Sequence, residues 1–191
     1  MRLCIFDLDY TVWQPEMYQL WGQPKLVPVS KVKGISERVL EQECTTKNKG
    51  KILVDTNNTP MRVFPGAKLA LSEIQRMQSE GQDIQAAVAS KTDEPSWARI
   101  CMENLVLDDG TTTLSEIFGY RVEISYGSKV RHIERLHSKT GVPYDQMAFF
   151  DNEYGNINAV SGALPDVKCF YTPNGMTSDA WEEAKSAFGL S

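Results

Sequence analysis

The sequence predicts an α/β fold of three layers, with helices on both faces of a central, mostly parallel sheet. Two observations carry that expectation. Beyond residue 64, short apolar runs alternate steadily with segments of helical period. Several of those runs stop at a polar residue, as strands of an open sheet do at a ligand-binding rim.

The first apolar run, Leu3 to Phe6, ends in two carboxylates, Asp7 and Asp9. In a strand, alternation puts both on one side of its C-terminal end. Two like charges held this close disfavour one another unless a cation or a reaction needs them. Over residues 66–80 the helical period sets Leu69, Ile74 and Met77 on one face, and Gly81 stops it. Residues 83–89 read as a buried strand leading to Ser90. Pro95 starts a helix over 95–105 that turns Trp97, Ile100, Cys101 and Leu105 inward. Residues 106–116 read as a loop around the Asp108-Asp109-Gly110 turn. A short strand over 120–124 precedes a helix over 129–139 with Val130, Ile133 and Leu136 on its core face. Met147 to Phe150 is a strand that ends at Asp151. A helix over 154–162, a strand over 167–171 and a helix over 177–188 complete the chain. The last helix has Thr177 or Ser178 as N-cap and Trp181, Ala184 and Phe188 facing inward.

Residues 14–64 break this rhythm and read as a small insertion within one domain spanning 1–191. Lys51 to Asp55 and Met61 to Phe64, joined through Thr56-Asn57-Asn58-Thr59, predict a β-hairpin. Residues 14–50 mix prolines, an amphipathic stretch from Ser36 to Glu43 and a lysine-rich turn. Because the insertion directly follows the carboxylate pair, it is expected to overhang the site.

Composition sets further bounds. A chain of 191 residues suits one domain, and 41% hydrophobic with 24% charged residues is ordinary for a soluble protein. The net charge of -5 argues against a nucleic-acid surface. Cys4, Cys44, Cys101 and Cys169 are scattered without a CxxC pair, which predicts reduced thiols. His132 and His137 are too few for a histidine metal site and read as ordinary helix residues. No signal peptide opens the chain, and no apolar run approaches the roughly 20 residues of a membrane span. The expectation is a cytoplasmic protein, with a monomer favoured, that binds neither membrane nor nucleic acid.

Four predicted strand ends or helix starts carry polar groups that could converge. They supply Asp7 and Asp9, then Ser90 and Lys91, then Lys129, then Asp151-Asn152-Glu153. Paired carboxylates with a carbonyl and waters suit Mg²⁺. A hydroxyl, a backbone amide and a lysine suit a phosphoryl group. A carboxylate beside both can attack phosphorus.

In this order the residues resemble the four motifs of the haloacid dehalogenase superfamily, whose fold is Rossmann-like. The strings FDLDYTVW, AAVASKTDEP, YGSKVRHIERLHSKTGVP and QMAFFDNEYGNI resemble its magnesium-dependent phosphatase subfamily. The resemblance implies a Mg²⁺-dependent phosphomonoester hydrolase that works through an aspartyl phosphate. Asp7 would be the nucleophile and a metal ligand. Asp9 would ligate through its carbonyl and act as general acid and base. Asp151 would complete the protein's metal ligands. The Leu8 amide, Ser90, Lys91 and Lys129 would hold the phosphoryl group, and Thr11, Asn152 and Asn156 would support the loops. Substrates would be phosphotyrosine-like or phosphosugar monoesters, with protein-tyrosine-phosphatase activity among the expectations.

Two positions depart from the subfamily pattern. Lys91 stands where arginine is usual, which keeps the charge and loses bidentate geometry. Asn152 stands where a second aspartate is usual, which removes one negative charge near the metal. Two rival readings are a mutase of the same fold and a non-catalytic phosphate-binding protein. A mutase needs a cap that excludes water, for which the insertion is small. A degenerate scaffold would have lost Asp7 or Asp9.

Overall fold

The computed structural model describes residues 1–190. In chain order its elements are β1 (Leu3–Phe6), β2 (Trp13–Gln14), β3 (Lys25–Pro28), α1 (Glu37–Glu43), β4 (Lys51–Val54), β5 (Arg62–Val63), α2 (Pro65–Ser79) and β6 (Gln85–Ser90). There follow α3 (Pro95–Asn104), α4 (Leu114–Phe118), β7 (Val122–Ile124), α5 (Lys129–Thr140), β8 (Met147–Asp151), α6 (Tyr154–Ala163), β9 (Lys168–Tyr171) and α7 (Ser178–Ala187). The central sheet has five parallel strands in the order β7-β6-β1-β8-β9. This is the three-layer fold the alternation predicts.

Strand alternation divides the core. Cys4, Phe6, Val88 and Phe150 face α2, α3, α4 and α7, whereas Leu3, Ile5, Ala87 and Phe149 face α5 and α6. Both faces are covered, so the inner strands β6, β1 and β8 are apolar over most of their length instead of alternating with polar residues. Phe6 stacks on Phe150 with ring centroids 4.9 Å apart, and Phe150 on Phe170 at 5.1 Å. This aromatic row lies across three adjacent strands immediately beneath the rim. Phe6 pairs with Val88 and Phe150, which sets Asp7 level with the end of β8, and the Asp7 amide donates to the Phe150 carbonyl at 2.9 Å.

Several expectations need correction. Leu69 does not face the core: it is 42% exposed, and α2 buries Ala67, Ala70, Leu71, Ile74 and Met77 instead. That face is lined by alanines because α2 packs closely on the start of α7. A Cβ on Gly66 would lie 2.4 Å from the Met176 carbonyl. The loop expected over 106–116 contains the start of α4. Thr113 caps it, accepting from the Glu116 amide at 3.2 Å while Glu116 accepts from the Thr113 amide at 2.7 Å. That capping box is written in the sequence as T-x-x-E, and it buries Leu114, Ile117 and Phe118. Phe188 lies just beyond α7 and is half-buried, and Cys169 is half-buried too.

The predicted hairpin is present at its turn. Asp55 ties the 55–59 turn by accepting from the amides of Asn57 and Thr59, each at 2.8 Å. The arms pair beside the turn, where the Asp55 amide donates to the Thr59 carbonyl and the Met61 amide to the Leu53 carbonyl, each at 3.0 Å; β4 pairs in addition with β3, and β5 with β2. Leu26 and Val27 offer β4 a longer apolar partner than the two residues of β5 can. Residues 37–43 of the amphipathic stretch form α1. Most of the insertion does not overhang the rim. Asn48 donates to the Asn104 carbonyl at the far end of α3, and the Lys47 amide donates to Gly110. Among the described residues, no helix is long and apolar enough to cross a membrane.

Candidate active site

The C-terminal ends of β1, β6 and β8 and the start of α5 meet at one cavity of about 270 Å³. Asp7, Asp9, Lys91, Lys129, Asn152 and Asn156 line it. Leu8, Thr11, Ser90 and Asp151 do not line the cavity and sit behind it, all of them buried. Sequence reasoning did not assign roles to Glu16, Tyr18, Thr92, Asp93, Tyr126 and Glu153, which also line the cavity. Glu153 was legible as part of the fourth motif. Thr92, Asp93 and Tyr126 lie within the second and third motif strings, whereas Glu16 and Tyr18 come from the insertion, whose course has no sequence signature.

The floor is a buried charge cluster. Lys129 Nζ donates to Asp7 Oδ1, to Asp151 Oδ2 at 3.1 Å and to the Ala89 carbonyl at 2.7 Å. Lys129 is 3% exposed and Asp151 fully buried. Two carboxylates share one ammonium, so the cluster carries one uncompensated negative charge. Burial raises the Asp7 pKa above the ordinary aspartate range, with Lys129 opposing the shift and Asp151 adding to it. For Lys129, burial pulls the pKa down, but Asp7 and Asp151 outweigh it and hold the ammonium above its usual value. Asp7 Oδ2 makes no hydrogen bond among the described residues and is free on the cavity side.

Asp9 is held differently. Its Oδ1 accepts from the Trp13 indole N–H at 2.7 Å and its Oδ2 from the Met17 amide at 3.1 Å. Burial raises its pKa, against those two donors. Tyr10 follows at φ +54, a conformation that costs a non-glycine residue roughly 1–3 kcal/mol and recurs at functional sites. It reverses the chain so that the Leu8 carbonyl accepts from the amides of Thr11, Val12 and Trp13. The Asp9 side chain is thus held by Trp13 and Met17 at the cavity wall. Among the described residues, no three acidic, histidine or cysteine side chains converge as a metal cage. The acidic oxygens gathered at the floor, which could meet a hard cation, are those of Asp7 and Asp151.

The supporting residues form a fixed frame. Thr11 Oγ1 accepts from the Asn152 amide at 3.0 Å and donates to Asn152 Oδ1 at 3.3 Å. Asn152 thus faces Thr11 as well as the cavity. Asn156 donates to both Asp151 oxygens, at 3.2 and 3.1 Å, and to Glu153 at 3.0 Å. Lys91 is exposed, and its ammonium lies 5.3 Å from the Tyr126 ring centroid at the cavity mouth.

The acid phosphatase family model matches residues 1–189. The chain belongs to the acid phosphatase family. It is 31% identical over 189 residues to human Magnesium-dependent phosphatase 1, covering 98% of this chain and 86% of that protein. It is 28% identical over 157 residues to a HAD-like hydrolase superfamily protein of Schizosaccharomyces pombe, covering 81% of this chain and 77% of that one. Two solved structures share the fold. One is a haloacid dehalogenase-like family hydrolase from Xanthomonas campestris, with TM-score 0.55, 15% identity and coverage of 98% of this chain and 96% of that one. The other is the N-terminal part of a Bacteroides fragilis protein, containing a phosphatase domain complexed with Mg, with TM-score 0.54 and 18% identity. That match covers 99% of this chain and 40% of the other. The chain is a phosphatase with a haloacid dehalogenase-like fold.

Proposed function

We propose that this phosphatase hydrolyses phosphomonoesters through an aspartyl phosphate formed on Asp7, with Mg²⁺ as cofactor. The observation that supports this most directly is the Asp7–Lys129–Asp151 cluster beneath an open cavity. Its surplus negative charge fits a divalent cation, as do its oxygen donors. Mg²⁺ would be held by Asp7, Asp151 and the Asp9 carbonyl, and would offset phosphoryl charge.

The chain's own residues divide the remaining work. Asp7 attacks phosphorus as the bond to the leaving oxygen breaks, and Asp9 gives that oxygen its proton. Asp9 then takes a proton from water, whose oxygen attacks phosphorus and releases the Asp7 carboxylate. Burial favours the protonated form of Asp9 that the first step requires. Lys129 is fixed and cationic beside Asp7, and with the Leu8 amide, Ser90 and Lys91 it holds phosphoryl oxygens. A fixed charge in a water-poor site needs no reorganisation during the reaction, so it stabilises charge more than a mobile one would.

Substrates of phosphotyrosine-like or phosphosugar type suit the cavity. Its mouth bears Tyr18 and Tyr126, 76% and 82% exposed, for a planar or sugar leaving group to pack against. A mutase is disfavoured because only Glu16 and Tyr18 of the insertion reach the cavity, too little to exclude water. We take residues 14–64 as an insertion within one phosphatase domain. The excursion ends where it began, with Trp13 paired to Val63 and the Phe64 amide donating to Val12. Turnover of p-nitrophenyl phosphate with Mg²⁺, its loss in EDTA and its loss in Asp7→Asn test the proposal. Equal turnover by Asp7→Asn and the unmodified protein overturns it. A panel of phosphotyrosine peptides and sugar phosphates ranks the substrates.

A further inference from the structure

Two groups assigned to the phosphoryl pocket sit on separate elements: Ser90 at the end of β6 and Lys129 at the start of α5. Ser125, one residue beyond β7, joins them. Its amide donates to the Ser90 carbonyl at 3.2 Å, and its Oγ lies 3.0 Å from His132 Nε2. His132 is one turn along α5 from Lys129 and fully buried. The His132 amide in turn donates to the Ser128 carbonyl at 3.1 Å, which fixes the helix start where Lys129 emerges. A buried imidazole would normally pair both nitrogens, yet Nδ1 has no partner. A bare acceptor is tolerated more readily than a bare N–H, so the proton belongs on Nε2, donated to Ser125 Oγ.

We propose that Ser125 and His132 are positioning residues of the phosphatase reaction: their hydrogen bond is a brace that fixes the spacing between the Ser90 and Lys129 phosphoryl contacts. This rests on the reading that Ser90 and Lys129 hold the phosphoryl group. Ser125 touches neither substrate nor reacting atoms and acts through the two residues it ties. Burial, then the nearby Lys129 charge, depresses the His132 pKa to about 4, so the ring stays neutral and does not compete with Lys129 for the phosphoryl charge. The loop that the brace holds carries Tyr126, so the same bond sets one wall of the cavity mouth.

The test compares Ser125→Ala, Ser125→Thr, His132→Phe and the double variant Ser125→Ala/His132→Phe, with inorganic phosphate as the probe. Loss of one hydrogen bond predicts that Ser125→Ala weakens phosphate inhibition and raises KM for p-nitrophenyl phosphate by about five- to tenfold. Ser125→Thr, which keeps the hydroxyl, restores both values. The double variant should be no weaker in phosphate binding than the worse single variant, because both remove the same bond. A phosphate inhibition constant unchanged in Ser125→Ala overturns the brace, even where thermal stability falls. So does strict additivity in the double variant. Asp7→Asn, assayed alongside, separates this failure from failure of the mechanism: if it retains full turnover, the aspartyl-phosphate reading is wrong. If it is inactive while Ser125→Ala binds phosphate normally, only the brace is wrong.

Discussion

The sheet rim and the insertion meet at the same cavity but are built on different principles. At the rim, every proposed catalytic group leaves the end of a buried strand or the first turn of a helix. The Phe6, Phe150 and Phe170 rings pack directly beneath it. The insertion has two short antiparallel ribbons and one helix of 7 residues. It contributes only Glu16 and Tyr18 to the cavity wall, together with the Met17 amide that holds Asp9. The rim is anchored through strand register and a packed core, so small displacements are costly there. The insertion joins the same core through Met17, Leu20, Leu53, Met61 and Val63 and is tied within itself, as by the Trp21 amide on Asp55 at 3.0 Å, but it brings no group to the charged floor. The proposed chemistry therefore draws on the rim, and the insertion would bear on what enters.

The sharpest way to break that division is at Asp7. Asp7→Asn should lower turnover at least about a thousandfold, because it removes the proposed nucleophile. Its melting temperature should hold or rise, since the structure no longer buries a carboxylate whose pKa burial has raised. Thermal melts beside turnover assays check both halves, and a strongly destabilised but active variant contradicts the division.

Core substitutions come next. Phe150→Ala removes the central ring of the aromatic row and should cost about 3–5 kcal/mol in chemical denaturation. Val27→Ala, half-buried in the insertion ribbon, should cost about 1 kcal/mol or less. Equal costs would show that the ribbon is as integral to the core as the sheet.

The pH dependence of stability sharpens the same contrast. His132 has a folded pKa of about 4 against an ordinary value of 6.5, with burial as the main cause. The unfolded chain therefore binds the proton first as pH falls. Stability from this group is complete above pH 6.5 and is lost as pH drops toward 4. The full swing is on the order of 3 kcal/mol. His132→Phe should flatten that part of the profile, measured by urea denaturation at stepped pH. An unchanged slope would place the acid sensitivity elsewhere.

The smallest effect is expected at the mouth. Tyr18→Ala should shift KM a few-fold with a substrate-dependent sign, while stability stays within about 0.5 kcal/mol. A large loss of kcat would bring the insertion into the chemistry itself.

The sequence by itself determined the layered fold, the strand order along the chain and the polar groups at the strand ends. Those features depend on local period and on charges placed where apolar runs stop, and both are written residue by residue. Asp7, Asp9, Lys129 and Asp151 were legible in this way, as was the T-x-x-E box that starts α4, though the surrounding turn residues masked it. The tertiary structure decided the rest. Leu69 is exposed because the buried stripe of α2 runs instead through Ala67, Ala70, Leu71, Ile74 and Met77. The hairpin arms take further partners, β3 beside β4 and β2 beside β5. Asp9 faces Trp13 and Met17, and Ser125 reaches His132, through loops that are placed by packing. Hydrogen bonds between distant segments depend on where the core brings those segments together, and a linear pattern carries no information about that distance.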